Sequence, residues 1–127
     1  MIASLDRERP EVGVEAEAEV ERASLIAAAC FFKSLGDPAR LMIIRRLAEG
    51  ERKVAALVAD LGLAQPTVSK HLRCLRDCGL VVSRPEGAAT LYRLAYPELL
   101  DVLRSAEPVL GQTGDAVVLC PSSGVTA

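Results

Sequence analysis

The stretch Gln65 to Gly79, QPTVSKHLRCLRDCG, carries three chemistries on what its periodicity predicts to be one helix. Val68, Leu72 and Leu75 recur at i, i+4 and i+7, the spacing of a stripe that faces a core. Gln65, Thr67, Ser69, Lys70 and Arg73 lie on the other side. They offer hydrogen-bond donors and positive charge, which is what reading base edges and holding phosphates requires. At about 100° per residue, His71, Cys74 and Cys78 share one edge between the two faces. Two thiols one turn apart could hold a soft metal ion, although cysteine is also a common packing residue.

Working upstream, Gly62-Leu63-Ala64 is a tight turn, and Val54 to Leu61 is a short helix with Val54, Leu57, Val58 and Leu61 on its inner side. A short helix, a Gly-containing turn and a second amphipathic helix make a helix-turn-helix. Before it, Gly36-Asp37-Pro38 is a start signal: Gly36 stops one helix, Asp37 caps the next and Pro38 suits its first position. That next helix is expected over Ala39 to Glu49, with Leu41, Ile44, Leu47 and Ala48 inward and Gly50 as its stop. A first helix is expected from Glu15, with Leu25, Ile26, Ala29 and Phe32 at helical spacing. Residues 1–14, with Pro10, Gly13 and mixed charge, read as a mobile tail.

Downstream of Gly79 the period changes. LVVSR, the turn PEGAA and TLYRLA read as a two-stranded hairpin flanked by Arg84 and Arg93, a wing that could approach DNA. Pro97-Glu98 opens a last helix through Leu99, Leu100, Val102, Leu103 and Ala106, which Pro108 should weaken. Both terminal helices are very apolar for terminal elements, so we expect them to form a joint homodimer interface. Residues 111–127 read as a flexible tail carrying Cys120, which leaves 15–110 as the folded domain.

Charge supports a polyanionic partner despite a net of −2. Residues 33–93 carry eleven Lys and Arg against six acids, whereas residues 1–32 and 94–127 are net −4 and −3. A basic middle between acidic ends is the asymmetry that nucleic acid recognises. With 3% aromatics and no Trp, base stacking is a poor prospect, and duplex DNA is the expected target. One His, no Gly-rich phosphate loop and no nucleophile–base set argue against an enzyme. No secretory leader and no run of about 18 apolar residues are present, so a cytoplasmic protein with reduced thiols is expected, away from membranes.

Three ordered motifs, Leu35-Gly36-Asp37-Pro38-Ala39-Arg40-Leu41, Gln65 to Leu72 and Leu75 to Val81, resemble the ArsR/SmtB family of winged-helix repressors over roughly residues 25–105. The resemblance implies a mainly α fold with a β-hairpin wing and a homodimer built from the N- and C-terminal helices. It implies a repressor that binds operator DNA without ligand and leaves it on meeting an inducer, commonly a metal. DNA contacts would then come from Gln65, Thr67, Ser69, Lys70, His71 and Arg73, with Arg84 and Arg93 on the wing.

Where the family can carry a Cys pair at the start of the third helix, this chain has Lys53-Val54-Ala55; where it can use Asp and His on the last helix, there is no His. What remains is Cys74 and Cys78, with Cys120 in the tail, similar to the cadmium- and lead-sensing CmtR branch. That implies a three-thiolate site for Cd(II) or Pb(II), with Zn(II) a further candidate, in which the tail Cys comes from the partner protomer. His71 as a fourth ligand and Cys30 as a ligand are lesser readings. Ala64-Gln65 stands where the branch usually has Ser, which loses a cap worth about 1 kcal/mol. The alternative is a repressor of the same fold that senses thiol oxidation or persulfides; a direct Cys74–Cys78 disulfide would be strained, so Cys120 or Cys30 would have to take part.

Overall fold

The computed structural model describes residues 11–113 and Leu119. The chain divides into two compact units, one up to Lys33 and one from Ser34 onward. The first unit is helical. It belongs to α1, which spans Glu11–Leu35, so Glu11 to Val14, read from sequence as tail, are helical. Gly13 lowers helix propensity by about 1 kcal/mol, but it is not a stop when a long run propagates past it. Val14, Val20, Leu25, Ile26 and Phe32 all project into solvent. Val14, Leu25 and Phe32 fall on one side of the helix, and apolar side chains left exposed in such number are surface that a partner can cover.

The second unit is built from α2 (Pro38–Leu47), β1 (Arg52–Lys53), α3 (Val54–Leu61), α4 (Gln65–Asp77), β2 (Val81–Glu86), β3 (Ala89–Leu94) and α5 (Leu99–Gln112). α2 starts as expected. Asp37 is extended, its Oδ2 accepts from the Arg40 N–H at 3.1 Å, and Pro38 takes the first helical turn. Ile43, Ile44 and Leu47 are its buried residues, and Leu41 is half-buried. The inward arc is wider than the spacing predicts because α3, α4 and β3 all pack on α2. α3 occupies the expected residues, but only Leu57 is fully buried; Val54, Val58 and Leu61 are half-covered.

Gly62 closes α3 in the left-handed region at φ 68°, and its N–H returns to the Val58 carbonyl at 2.9 Å. Ala64 supplies no side-chain cap to α4. The helix is held instead by its apolar stripe: Val68, Leu72 and Leu75 are essentially inaccessible. It ends at Cys78, after which Gly79, at φ 78°, lets the Leu80 N–H reach the Leu75 carbonyl at 2.9 Å. With the Gly79 N–H on the Arg76 carbonyl, also at 2.9 Å, this is a Schellman stop.

The expected two-stranded hairpin is a three-stranded antiparallel sheet in the order β1-β3-β2. β2 and β3 pair from Val81↔Leu94 to Glu86↔Ala89 across a two-residue loop, with Gly87 at φ 61° in its first position. β1 adds Arg52↔Tyr92 and Lys53↔Leu91 on the far edge of β3. Two charged residues give no alternation and are poor strand formers, so this strand has no sequence signal. α5 continues through Pro108 to Gln112. The proline removes one backbone donor but does not stop the helix. Leu99 and Leu103 are buried, while Val102 and Val109 are exposed. Among the described residues, no helix is long and apolar enough to cross a membrane.

Candidate nucleic-acid interface and thiol edge

α4 presents Gln65, Thr67, Lys70 and Arg73 to solvent, with Ser69 half-buried beside them. The buried stripe fixes which way these side chains face, since they share one rigid helix with Val68, Leu72 and Leu75. Thr67 and Lys70 line a cleft of about 470 Å³ together with Arg40, Pro66, His71 and Cys74. The cleft therefore holds two fixed cations, a hydroxyl, an imidazole and a thiol. An open, cationic cleft beside the first turn of a helix suits a phosphate oxygen.

His71 sits deeper than its neighbours, with its side chain 16% exposed. Its Nδ1 lies 3.3 Å from Arg40 Nη1, and its Nε2 lies 3.7 Å from Asp37 Oδ2. A guanidinium can only donate, so the Arg40 contact requires Nδ1 to accept and places the ring proton on Nε2, toward the carboxylate. Arg40 also donates from Nε to the Ser34 carbonyl at 2.5 Å. His71, expected at the DNA surface, lines the cleft with Thr67 and Lys70, and both of its ring nitrogens face partners from the start of α2. Asp37 and Arg40 were legible as helix-start residues but not as partners of His71, because that contact spans 31 positions.

The Asp37 carboxyl is held below the ordinary Asp range. Partial burial pushes it upward, and is outweighed by the Arg40 N–H bond, the charge of Arg40 and the pull of the His71 ring whenever that ring is protonated. A depressed carboxyl contributes stability that is present above its unfolded value and is lost as pH falls through its folded one. Asp37→Asn keeps a capping oxygen and removes that titration. In urea unfolding, the wild-type advantage over Asp37→Asn should be largest at neutral pH and vanish below the ordinary Asp range. A difference independent of pH would show that the carboxylate charge contributes nothing.

On the wing, Arg84 is engaged within the chain. Its Nε and Nη2 donate to the two Glu51 carboxylate oxygens, both at 2.9 Å, and Glu86 lies 3.9 Å away. The hydrogen bond and charge of Arg84 lower the Glu51 carboxyl, and the same bond raises the guanidinium. Arg84 is exposed and Glu51 is half-buried at the surface, so the pair adds geometry more than stability. Arg93 is exposed and donates from Nη1 to the Leu94 carbonyl at 3.2 Å.

Cys74 and Cys78 are both half-buried along the same edge of α4, and Cys30 is exposed on α1. The Cys74 thiol reaches the cationic cleft. The Cys78 Sγ accepts from the Ser34 hydroxyl at 2.7 Å. Two soft donors on one helix edge fit a thiophilic ion and would not suit Mg²⁺ or Ca²⁺. They do not complete a site: among the described residues, no three His, Cys, Asp or Glu side chains cluster to hold a metal. Cys120 lies outside the described residues. Its neighbour Leu119 donates its N–H to Glu107 Oε2 at 2.7 Å.

A buried-stripe recognition helix behind a tight turn, followed by a hairpin, defines a winged helix-turn-helix DNA-binding protein. Residues 37–83 match the description of a bacterial regulatory protein of the arsR family. A probable mercury resistance operon repressor of Streptomyces lividans is 36% identical over 108 residues, covering 85% of this chain and 86% of the relative. The chain belongs to the arsR family of transcriptional regulators. The regulator CmtR of Mycobacterium tuberculosis is 44% identical over 71 residues, covering 56% of this chain and 60% of CmtR. The solution structure of the homodimeric winged helix-turn-helix domain of Mycobacterium bovis Mb0332 superposes with a TM-score of 0.67 at 31% identity, covering 77% of this chain and 91% of that one.

Proposed function

We propose that this chain is a cytoplasmic, metal-responsive repressor that binds operator DNA as a metal-free homodimer and leaves it when a soft divalent ion binds cysteine thiolates. The single observation that carries this reading is the position of Cys74. It lines the same cleft as Thr67 and Lys70, so a sensing thiol and a DNA-facing surface share one helix. The ligands would be Cys74, Cys78 and Cys120, and the ion Cd(II) or Pb(II), with Zn(II) a further candidate. The Streptomyces relative named for mercury resistance adds Hg(II) to that set. Such an ion would supply strong bonds to deprotonated sulfur and so a preferred arrangement of the helix that bears it.

The outward apolar residues of α1 and the exposed Val102 and Val109 of α5 supply the surface for dimer formation. Two recognition helices would then enter successive major grooves about 34–36 Å apart. Gln65, Thr67, Ser69, Lys70 and Arg73 make the base and phosphate contacts. His71 braces the cleft wall. Arg93 reaches DNA from the wing, and Arg84 does so by exchanging Glu51 for a phosphate. A coupling of about 1–3 kcal/mol between ion and DNA would weaken operator binding about 5–150-fold.

Lys70→Ala should reduce the slope of log affinity against log salt concentration by about 2, one contact from each protomer of the dimer, and weaken all DNA sequences alike. An unchanged slope in a salt titration would remove Lys70 from the phosphate contacts. The function itself is tested by titrating reduced, metal-free protein with Cd(II) under anaerobic conditions while following sulfur-to-metal charge-transfer absorption and operator binding. One ion per protomer, with three-thiolate intensity that falls in Cys120→Ser, together with release from DNA, is the expected result. No saturating absorption, with operator release by a mild oxidant or a persulfide instead, would replace the metal by a thiol redox switch.

A further inference from the structure

Ser34 is the polar residue buried among the described core, 2% exposed. It stands one residue before the end of α1 and contacts two parts of the recognition region. Its hydroxyl donates to the Cys78 Sγ at 2.7 Å, across 44 positions of sequence. Its carbonyl accepts from Arg40 Nε, whose guanidinium in turn faces His71. Cys78 is also the C-terminal cap of α4, and its N–H returns to the Cys74 carbonyl at 3.1 Å. The hydroxyl therefore fixes the second thiol of the helix edge at the point where the helix ends.

We infer that Ser34 is the positioning residue for Cys78: its hydroxyl orients the sulfur through which Cys78 would bind a soft cation. This rests on the thiolate-site reading above. The physical basis is general. A hydrogen bond donated to a ligand atom fixes the direction in which its remaining lone pairs can point. Groups that hold a first ligand in this way commonly govern metal affinity as strongly as some ligands do.

The test compares wild type, Ser34→Ala, Ser34→Thr and Cys78→Ser as full-length, reduced, metal-free proteins. Cd(II) affinity is measured by competition with a chelator, and the charge-transfer band is recorded in each. Ser34→Ala should bind Cd(II) about tenfold more weakly, within the 10–100-fold range for loss of an outer hydrogen bond to a ligand. Its band should move to longer wavelength, because an unbonded sulfur gives up charge more easily. Ser34→Thr, which keeps the hydroxyl, should restore both. Equal affinity and an unmoved band in Ser34→Ala, or a threonine variant as weak as alanine, would overturn the role of Ser34 while leaving the thiolate site intact. If Cys78→Ser binds Cd(II) as the wild type does, Cys78 is not a ligand, and both the site and the role of Ser34 fall together.

Discussion

Cys74→Ser and Cys78→Ser should each bind operator DNA with near wild-type affinity and fail to release it on addition of Cd(II). Both thiols are half-buried on the edge of α4, away from the fully buried stripe of Val68, Leu72 and Leu75. Replacing sulfur by oxygen there leaves the core packing unchanged, and the outward face of Gln65, Thr67, Lys70 and Arg73 is untouched. What changes is softness: a serine hydroxyl stays protonated at neutral pH and is a poor ligand for a thiophilic ion. The whole coupling, about 5–150-fold in operator affinity, should therefore disappear in either variant. The measurement is fluorescence anisotropy of labelled operator, with and without Cd(II). Normal release by both mutants would place the inducer site elsewhere in the chain. Loss of DNA binding in the metal-free mutants would show that these positions serve the interface and not the sensor.

Leu72→Ala should destabilise the domain by about 2–5 kcal/mol, the range for truncating a fully buried leucine where the surroundings cannot collapse. Leu72 is 1% exposed and stands between Val68 and Leu75, which are both at 0%, on the face that α4 turns toward α2 and α3. Removing three carbons from the middle of that stripe leaves neighbours on both sides without partners. Domains of this size have about 5–15 kcal/mol in total, so the loss is a large fraction of it. Urea unfolding at fixed protomer concentration reads the change, since dimer formation links stability to concentration. A cost below about 1 kcal/mol would mean that the surroundings collapse around the truncation. Arg73→Ala, one residue away on the exposed face, should leave the unfolding midpoint nearly unchanged.

The helix-turn-helix was legible because its determinants are local. The spacing of Val68, Leu72 and Leu75, the Gly36-Asp37-Pro38 start and the stops at Gly62 and Gly79 each act within one or two turns of chain. The third strand was not legible, because Arg52 and Lys53 pair with β3 only after the hairpin has formed. The helical state of Glu11 to Val14 was missed for a different reason: proline and glycine read as punctuation, but a long helix overrides a single weak residue.

The site divides along the same line. Cys74 and Cys78 could be placed on one edge from their spacing alone. The Ser34 hydroxyl on Cys78, the Arg40 and Asp37 groups around His71 and the Glu51 carboxylate on Arg84 could not, since each contact joins residues more than 30 positions apart. Long-range polar contacts leave no periodicity in a sequence. They also change what a residue can do, as when Arg84, exposed and cationic, already holds a carboxylate.

β1 ends at Lys53 and α3 begins at Val54, with no residue between them. The hairpin is thus spliced directly onto the first helix of the reading pair through the edge of β3. In terms of how such a chain can diverge, the two ends of the wing face opposite constraints. The loop at Gly87 and Ala88 has open space around it and can be lengthened without disturbing any pairing. A residue gained or lost at Lys53 would rotate α3 by about 100° relative to the strand and carry its inner side out of the core. Length variation among descendants of this sequence is therefore channelled outward, to the wing tip, and the splice at Lys53–Val54 sets the frame within which that variation occurs.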